Sequence, residues 1–211
     1  TEQDRKKMIH AALLDLTSLD QAKHLICNVL NYGYRKNECL SIRDWPETVQ
    51  NYLAQGTLPQ IIADQNDFKV IYLKLSKDRL IRSQEREVIE RLITDDPTLR
   101  GLMVVSDFNQ KEWHLINIKF GSEEKNKSGR VFRRMKVGPK EFMRTAVERL
   151  AKIDVDILGE NATAQEIQAK HDEAFDVQAV TRDFFRQYAI VFETTKKSIK
   201  GFGRSEAAKE N

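Results

Sequence analysis

Apolar residues recur at helical spacing in the first 55 or so residues of the chain. Met8, Ile9 and Leu13 fall on one face of a first helix, and residues 18–21 form a capping box before a second. An aspartate, an early proline and a glutamate in residues 44–47 predict the start of a third helix. The amino-terminal part is therefore expected to be helical.

Runs of β-branched and aromatic residues replace this pattern after Gly56. Polar turns join four of the runs into two hairpins, and a helix over 83–93 separates the hairpins. A fifth, basic strand follows Gly129. The four hairpin strands are predicted at 58–63, 68–75, 102–105 and 113–120.

Helical patterns return in the last third of the chain. Gly138 and Pro139 predict a helix start, residues 163–166 form another capping box, and a long helix with a narrow apolar stripe is expected from Asp176. The predicted fold class is α+β, with a helical N-terminal part, a mainly antiparallel sheet of four to five strands, and C-terminal helices.

This pattern also predicts the domain organisation. We expect an α+β domain over 1–157, a helical connector and long helix over 158–200 that leads toward a downstream domain, and a disordered tail over 201–211. No run approaches the roughly 18 apolar residues that a membrane span needs, so we expect no membrane contact and a cytoplasmic location. Cys27 and Cys39 lack the spacing of zinc ligands, and no metal ligands are predicted.

The charge balance shows that any affinity for polyanions must come from where the cations lie. The 35 lysines and arginines nearly match the 32 acids, for a net charge of +3. The strand after Gly129 alternates cations with apolar residues, so it could lie on a core and present its cations to phosphates. The alternative is a strand whose charges only keep a sheet soluble. The predicted DNA-binding residues are Arg130, Arg133, Arg134, Lys136, Lys140 and Arg144.

Three segments together, residues 113–119, residues 133–138 with 144–150, and residues 174–185, resemble the amino-terminal region of type IIG restriction-modification enzymes. In that group an adenine-specific DNA methyltransferase domain follows such a region, and the resemblance covers residues 58–195. It implies duplex DNA and a downstream methyltransferase domain of the same polypeptide as partners, and S-adenosylmethionine as the cofactor of the parent protein. This chain lacks the Asn/Asp-Pro-Pro-Tyr/Phe motif of such methyltransferases, so no cofactor is expected within it. The resemblance thus implies a DNA-contacting or scaffolding module.

A magnesium-dependent nuclease is the enzymatic alternative. Such a site needs carboxylates for Mg²⁺ and a lysine that orients the attacking water. The nearest arrangements are Asp107 followed by Asn117 and Lys119, and Asp64 or Asp67 followed by Lys74. Each lacks a second carboxylate unless Glu85 or Glu87 supplies one. Asp107 also suits a hairpin turn. A third possibility is a protein-interaction module that uses the stripe of the helix from Asp176.

The remaining chemistry-bearing residues favour structural roles. No two of the four histidines have the spacing of a metal site, and His114 on a strand is more typical of a packed or hydrogen-bonded side chain than of a catalytic base. Trp45 and Trp113 are predicted to anchor the core rather than to stack on bases.

Overall fold

The computed structural model describes residues 1–121, 128–176 and 185–199, apart from the side chains of residues 36 and 37. By its internal contacts the chain divides into a unit Thr1–Phe175 and a unit Asp176–Asn211.

A six-stranded mixed sheet forms the centre of the first unit. Its strands lie in chain order, and every neighbouring pair is antiparallel except β3 and β4. Those two are parallel because the chain crosses over through a helix between them. The strands are β1 (Tyr34–Cys39), β2 (Gln60–Gln65), β3 (Phe68–Lys74), β4 (Arg100–Ser106), β5 (Trp113–Phe120) and β6 (Arg130–Val137).

The α+β class is confirmed, with helices before and after the sheet. The sheet has one or two strands more than predicted because Tyr34–Cys39, a polar sequence without alternation, forms the edge strand β1. The helices are α1 (Glu2–Leu14), α2 (Leu19–Lys23, continued by π-helical turns over His24–Val29), α3 (Glu47–Gln50), α4 (Arg82–Asp95), α5 (Arg144–Ala151), α6 (Val155–Leu158), α7 (Ala164–Ala174) and α8 (185–199).

Local sequence signals predicted some helix starts correctly and others incorrectly. The predicted capping box at the start of α7 is present, with the Thr163 hydroxyl accepting from the Glu166 backbone N–H and the Glu166 carboxylate accepting from that of Thr163. The predicted helix start at Gly138 is wrong. Gly138 has a φ of +125°, outside the helical region, and α5 begins six residues later at Arg144.

The sheet separates two apolar cores. On one face, Ile71, Met103 and Ile116 pack with Val88 and Ile89 of α4. The other face packs against α1, α2, α5 and α7. The predicted burial of both tryptophans is confirmed: Trp113 is 1% exposed and Trp45 is 4% exposed.

The compact unit continues past residue 157 because α7 packs on β3, β4 and β5. Gln168 of α7 donates to the Asn117 side chain (2.8 Å) and accepts from the backbone N–H of Gly101 (3.2 Å). In the second unit, α8 forms part of the helix predicted from Asp176, while residues 177–184 and the predicted tail lie outside the described residues. Within the described ranges, no helix has the length and apolar character of a membrane span.

Candidate nucleic-acid interface

Strand β6 carries four of the six predicted DNA-binding cations, and its pleat divides them between two faces. Side chains along a strand alternate in direction. Met135 and Val137 pack in the core below α1 and α5, so Arg133 shares that face. Phe132 packs against the core below α4, so Arg130, Arg134 and Lys136 lie on the α4 face. The strand therefore does not present its cations as one row.

The prediction that Arg130 contacts DNA is wrong. Its side chain is buried, with 2% of the residue exposed. Its guanidinium donates to the backbone carbonyls of Ile118 (3.3 Å) and Pro97 (2.7 Å) and lies 3.3 Å from the ring centroid of Phe120. Burial, helped by the neighbouring charge of Arg100, lowers the pKa of Arg130 to about 10, so the group remains charged at neutral pH. Arg130 therefore connects β6 to β5 and to the backbone at Pro97 from within the fold.

Arg134 is bound inside the molecule to an acid of α4. Its Nε and Nη2 atoms both donate to Oε2 of Glu85, at 3.0 and 2.8 Å. The other carboxylate oxygen of Glu85 is hydrogen-bonded to Nδ1 of His114, which is the second residue of β5. Glu85 is fully buried, and the His114 and Arg134 side chains are 9% and 12% exposed. The prediction that His114 is a hydrogen-bonded side chain is confirmed.

The other predicted cations lie in different surroundings. Lys136 and Lys140 are exposed near the carboxyl end of β6. Arg144 is exposed at the start of α5, beside α1. Arg133 is half-buried on the opposite face of the sheet, where its register partner is Asn117. Of the predicted cations, Lys136 thus stays exposed at the carboxyl end of β6, and Lys140 stays exposed just after it.

Further exposed cations gather at this end, where β3 and β4 finish. The N–H of Phe108 donates to the carbonyl of Lys77 (2.8 Å), and the N–H of Leu80 donates to the carboxylate of Glu112 (2.7 Å). These bonds join the loop after β3 to the loop after β4, and Lys136 pairs in register with His114 at the start of β5. We call the exposed cations of these segments the basic end: Lys77, Arg79, Arg82, Arg86, Lys111 and Lys136.

The basic end has little compensating charge. Its segments contain two exposed acids, Asp78 and Glu112. Among the described residues, no ion pair involves any of the six cations. The buried acid in the first turn of α4, Glu85, is already bound to Arg134 and His114. The surface therefore carries a net positive charge.

Helix α4 starts at the basic end against the usual electrostatic preference. The amino terminus of a helix carries partial positive charge, and cations there cost about 0.3–1 kcal/mol each. Arg82 is the first residue of α4 and Arg86 lies one turn later, a repulsive i,i+4 pair. Glu85 is the acid of the first turn, but it faces inward, and Ile81 at the N-cap supplies no side-chain hydrogen bond. Residues that violate a local rule in this way mark candidate functional sites.

The three nuclease candidates are not brought together. Asp107 is fully buried and accepts backbone N–H bonds from Asn109, Lys111 and Glu112 at 3.2, 2.7 and 2.8 Å. It therefore occupies the hairpin-turn role that the sequence also allowed. Lys119 lies near the other end of β5, about 20 Å from the start of the strand at 3.4 Å per residue.

Glu85 does not supply the second carboxylate that a magnesium site with Lys119 would need. Glu85 lies on the α4 face of the sheet, whereas Lys119 alternates onto the opposite face with Asn117. The Asn117 carbonyl oxygen, an alternative ligand, accepts from Gln168. In the part of the chain that the structure describes, no three His, Cys, Asp or Glu residues are close enough to share a metal ion.

Sequence reasoning missed five residues of the basic end, all except Lys136. The signal was present in the charge pattern, since Lys77, Arg79, Arg82 and Arg86 all lie just before or within the first turns of a predicted helix. The prediction of DNA-binding residues rested on the alternating strand β6 instead. Comparisons with protein-family models, with curated proteins and with solved structures find no match to this chain.

Proposed function

We propose that this chain is a DNA-contacting module and that the basic end binds the phosphate backbone of duplex DNA. The observation that carries the proposal is the accumulation of six exposed cations, without ion pairs to the described residues, around the positive end of α4. Phosphate neutralisation by lysine and arginine is the dominant sequence-independent source of DNA affinity. Such contacts position a duplex rather than read its sequence.

The resemblance to type IIG restriction-modification enzymes supports the choice of duplex DNA. In this proposal the chain positions DNA for a methyltransferase domain of the same polypeptide, which would use S-adenosylmethionine. A cytoplasmic location belongs to the same proposal. No catalytic step is assigned to the described residues, because Asp107, Lys119 and Glu85 are separated in the fold.

The double reversal Arg82→Glu/Arg86→Glu tests the proposal. Each lost phosphate contact lowers the slope of log affinity against log salt by about 0.9, so the double variant is expected to lose about two units of slope. Fluorescence anisotropy with a labelled duplex over 50–200 mM salt measures both affinity and slope. Wild-type protein that shows no salt-dependent binding, or a variant with an unchanged slope, would refute the proposed function.

The matched control is Arg43→Glu/Lys152→Glu. Both residues are exposed, neither belongs to the basic end, and the double variant has the same change in net charge. A general loss of positive charge would weaken DNA binding equally in the two variants. The proposal requires the control to keep a slope close to that of the wild type.

A protein-interaction module is the second candidate, favoured by α8. Tyr188, Val191 and Phe192 are 63%, 63% and 55% exposed, and Ile199 is 68% exposed. Aromatic and aliphatic exposure of this extent on one helix is typical of an interaction surface. Light scattering of the wild type and a Tyr188→Ser/Phe192→Ser variant tests self-association; a monomeric wild type at all concentrations would exclude a second copy as the partner.

A further inference from the structure

His114 lies beside the basic end. One of its ring nitrogens is hydrogen-bonded, and the other has no hydrogen-bond partner among the described residues. Nδ1 bonds to Glu85, and Arg134 donates twice to the same carboxylate. A carboxylate bound by a guanidinium acts as an acceptor, so Nδ1 carries the proton in this bond. Nε2 has no hydrogen-bond partner among the described residues and is not sealed from solvent.

The strand partners of His114 and the start of α4 bring several cations close to this residue. On β6, Lys136 is the register partner of His114, and Arg134 is the next residue on the same face. On β4 the register partner is the apolar Val105, and from α4 the facing acid is Glu85. Glu112, two residues before His114, accepts from the backbone of Leu80. The other charged residues in the first turns of α4 are Arg82, Arg86 and Glu87.

These groups bear on whether His114 takes a second proton. When the ring is neutral, the Glu85 carboxylate and the Arg134 guanidinium balance each other. A phosphate oxygen at Nε2 would favour a second proton there, because it accepts a hydrogen bond from the imidazolium and neutralises its charge.

We propose that His114 is a phosphate-binding residue of this module, that Glu85 and Arg134 orient its ring, and that DNA binding is accompanied by uptake of a proton at Nε2. This inference rests on the proposed function. It assigns a specific contact within the basic end and makes DNA affinity depend on pH. Glu85 is a positioning residue, since it acts on the phosphate only through the imidazole.

Linkage gives the sign and the limit of the effect. If binding takes up one proton, the association constant rises as pH falls, by at most tenfold per pH unit. Anisotropy titrations of a labelled duplex at constant salt between pH 5.5 and 8.5 measure this slope. The slope is expected in the wild type, absent in His114→Gln, and retained in the control His10→Gln, which changes an exposed histidine of α1.

A second measurement does not depend on a variant that must fold. Long-range ¹H–¹⁵N correlation spectra report the protonation of each histidine ring in the wild type. Adding unlabelled duplex is expected to move the His114 ring signals toward those of imidazolium. The buried His171 is expected to stay unchanged, and His10 and His24 provide further internal references.

The outcomes separate the two proposals. Salt-dependent binding that is lost in Arg82→Glu/Arg86→Glu, without a pH slope assignable to His114 and without movement of its ring signals, would overturn this inference and leave the proposed function standing. Absence of any DNA binding would overturn both. Proton uptake that persists in His114→Gln would also overturn the assignment.

Discussion

Two cations of β6 on the same face of the sheet, Arg134 and Lys136, should differ strongly in how much the same substitution destabilises the fold. Arg134→Met removes the guanidinium that donates twice to the fully buried Glu85. Lys136→Met removes an exposed ammonium that has no ion pair with the described residues. The first change should destabilise the fold strongly and the second should hardly affect it.

The magnitude follows from the surroundings of Glu85. Removal of one partner of a buried ion pair costs about 3–5 kcal/mol because a charge is left unpaired. His114 still bonds to Glu85, so we expect the lower limit, about 3 kcal/mol, for Arg134→Met. For Lys136→Met we expect a change within about 0.5 kcal/mol. Adding Glu85→Gln to Arg134→Met should restore about half of the loss, because the unpaired charge is then removed.

Urea unfolding followed by tryptophan fluorescence measures these values, since both tryptophans lie buried in the first unit. At a typical m-value of about 2 kcal/mol/M, a loss of 3 kcal/mol moves the midpoint by about 1.5 M. Equal midpoints for Arg134→Met and Lys136→Met would refute the reasoning. So would an Arg134→Met/Glu85→Gln protein less stable than Arg134→Met alone.

Three other outcomes are expected from buried polar groups. Arg130→Met should cost about 2–4 kcal/mol of unfolding free energy, because two backbone carbonyls lose their donors; a stability equal to wild type in urea would contradict this. Asp107→Ala should cost about 2 kcal/mol, because three turn N–H groups lose their acceptor, and its circular-dichroism melting curve would show the shift. Burial lowers the pKa of His171 to about 3, so the unfolded chain binds a proton below pH 6.5 that the folded chain does not. Stability should therefore fall by about 2 kcal/mol from this residue on acidification from neutral pH to pH 5, and urea midpoints should lose that dependence in His171→Leu but keep it in His10→Gln.

The order of elements was predictable because its signals are local. A capping box needs only residues three positions apart, and Thr163 with Glu166 placed the start of α7 correctly. Runs of β-branched and aromatic residues on either side of a polar turn likewise predicted β4 and β5. Prediction from the sequence failed where an element forms only through contact with residues that are distant in the chain. The polar strand β1 forms because β2 pairs with it, and nothing in its own sequence predicts that pairing.

The candidate site depends on contacts that no local pattern contains. The sequence by itself determined that cations concentrate on one strand and around one helix start, since these are facts of composition and spacing. Only the tertiary structure decided that Arg130 and Arg134 turn inward while Lys136 stays outside. Strand pleat fixes which residues share a face, but burial depends on what covers that face. Here the crossover helix α4 covers it and brings Glu85 to Arg134, from 49 positions away in the chain.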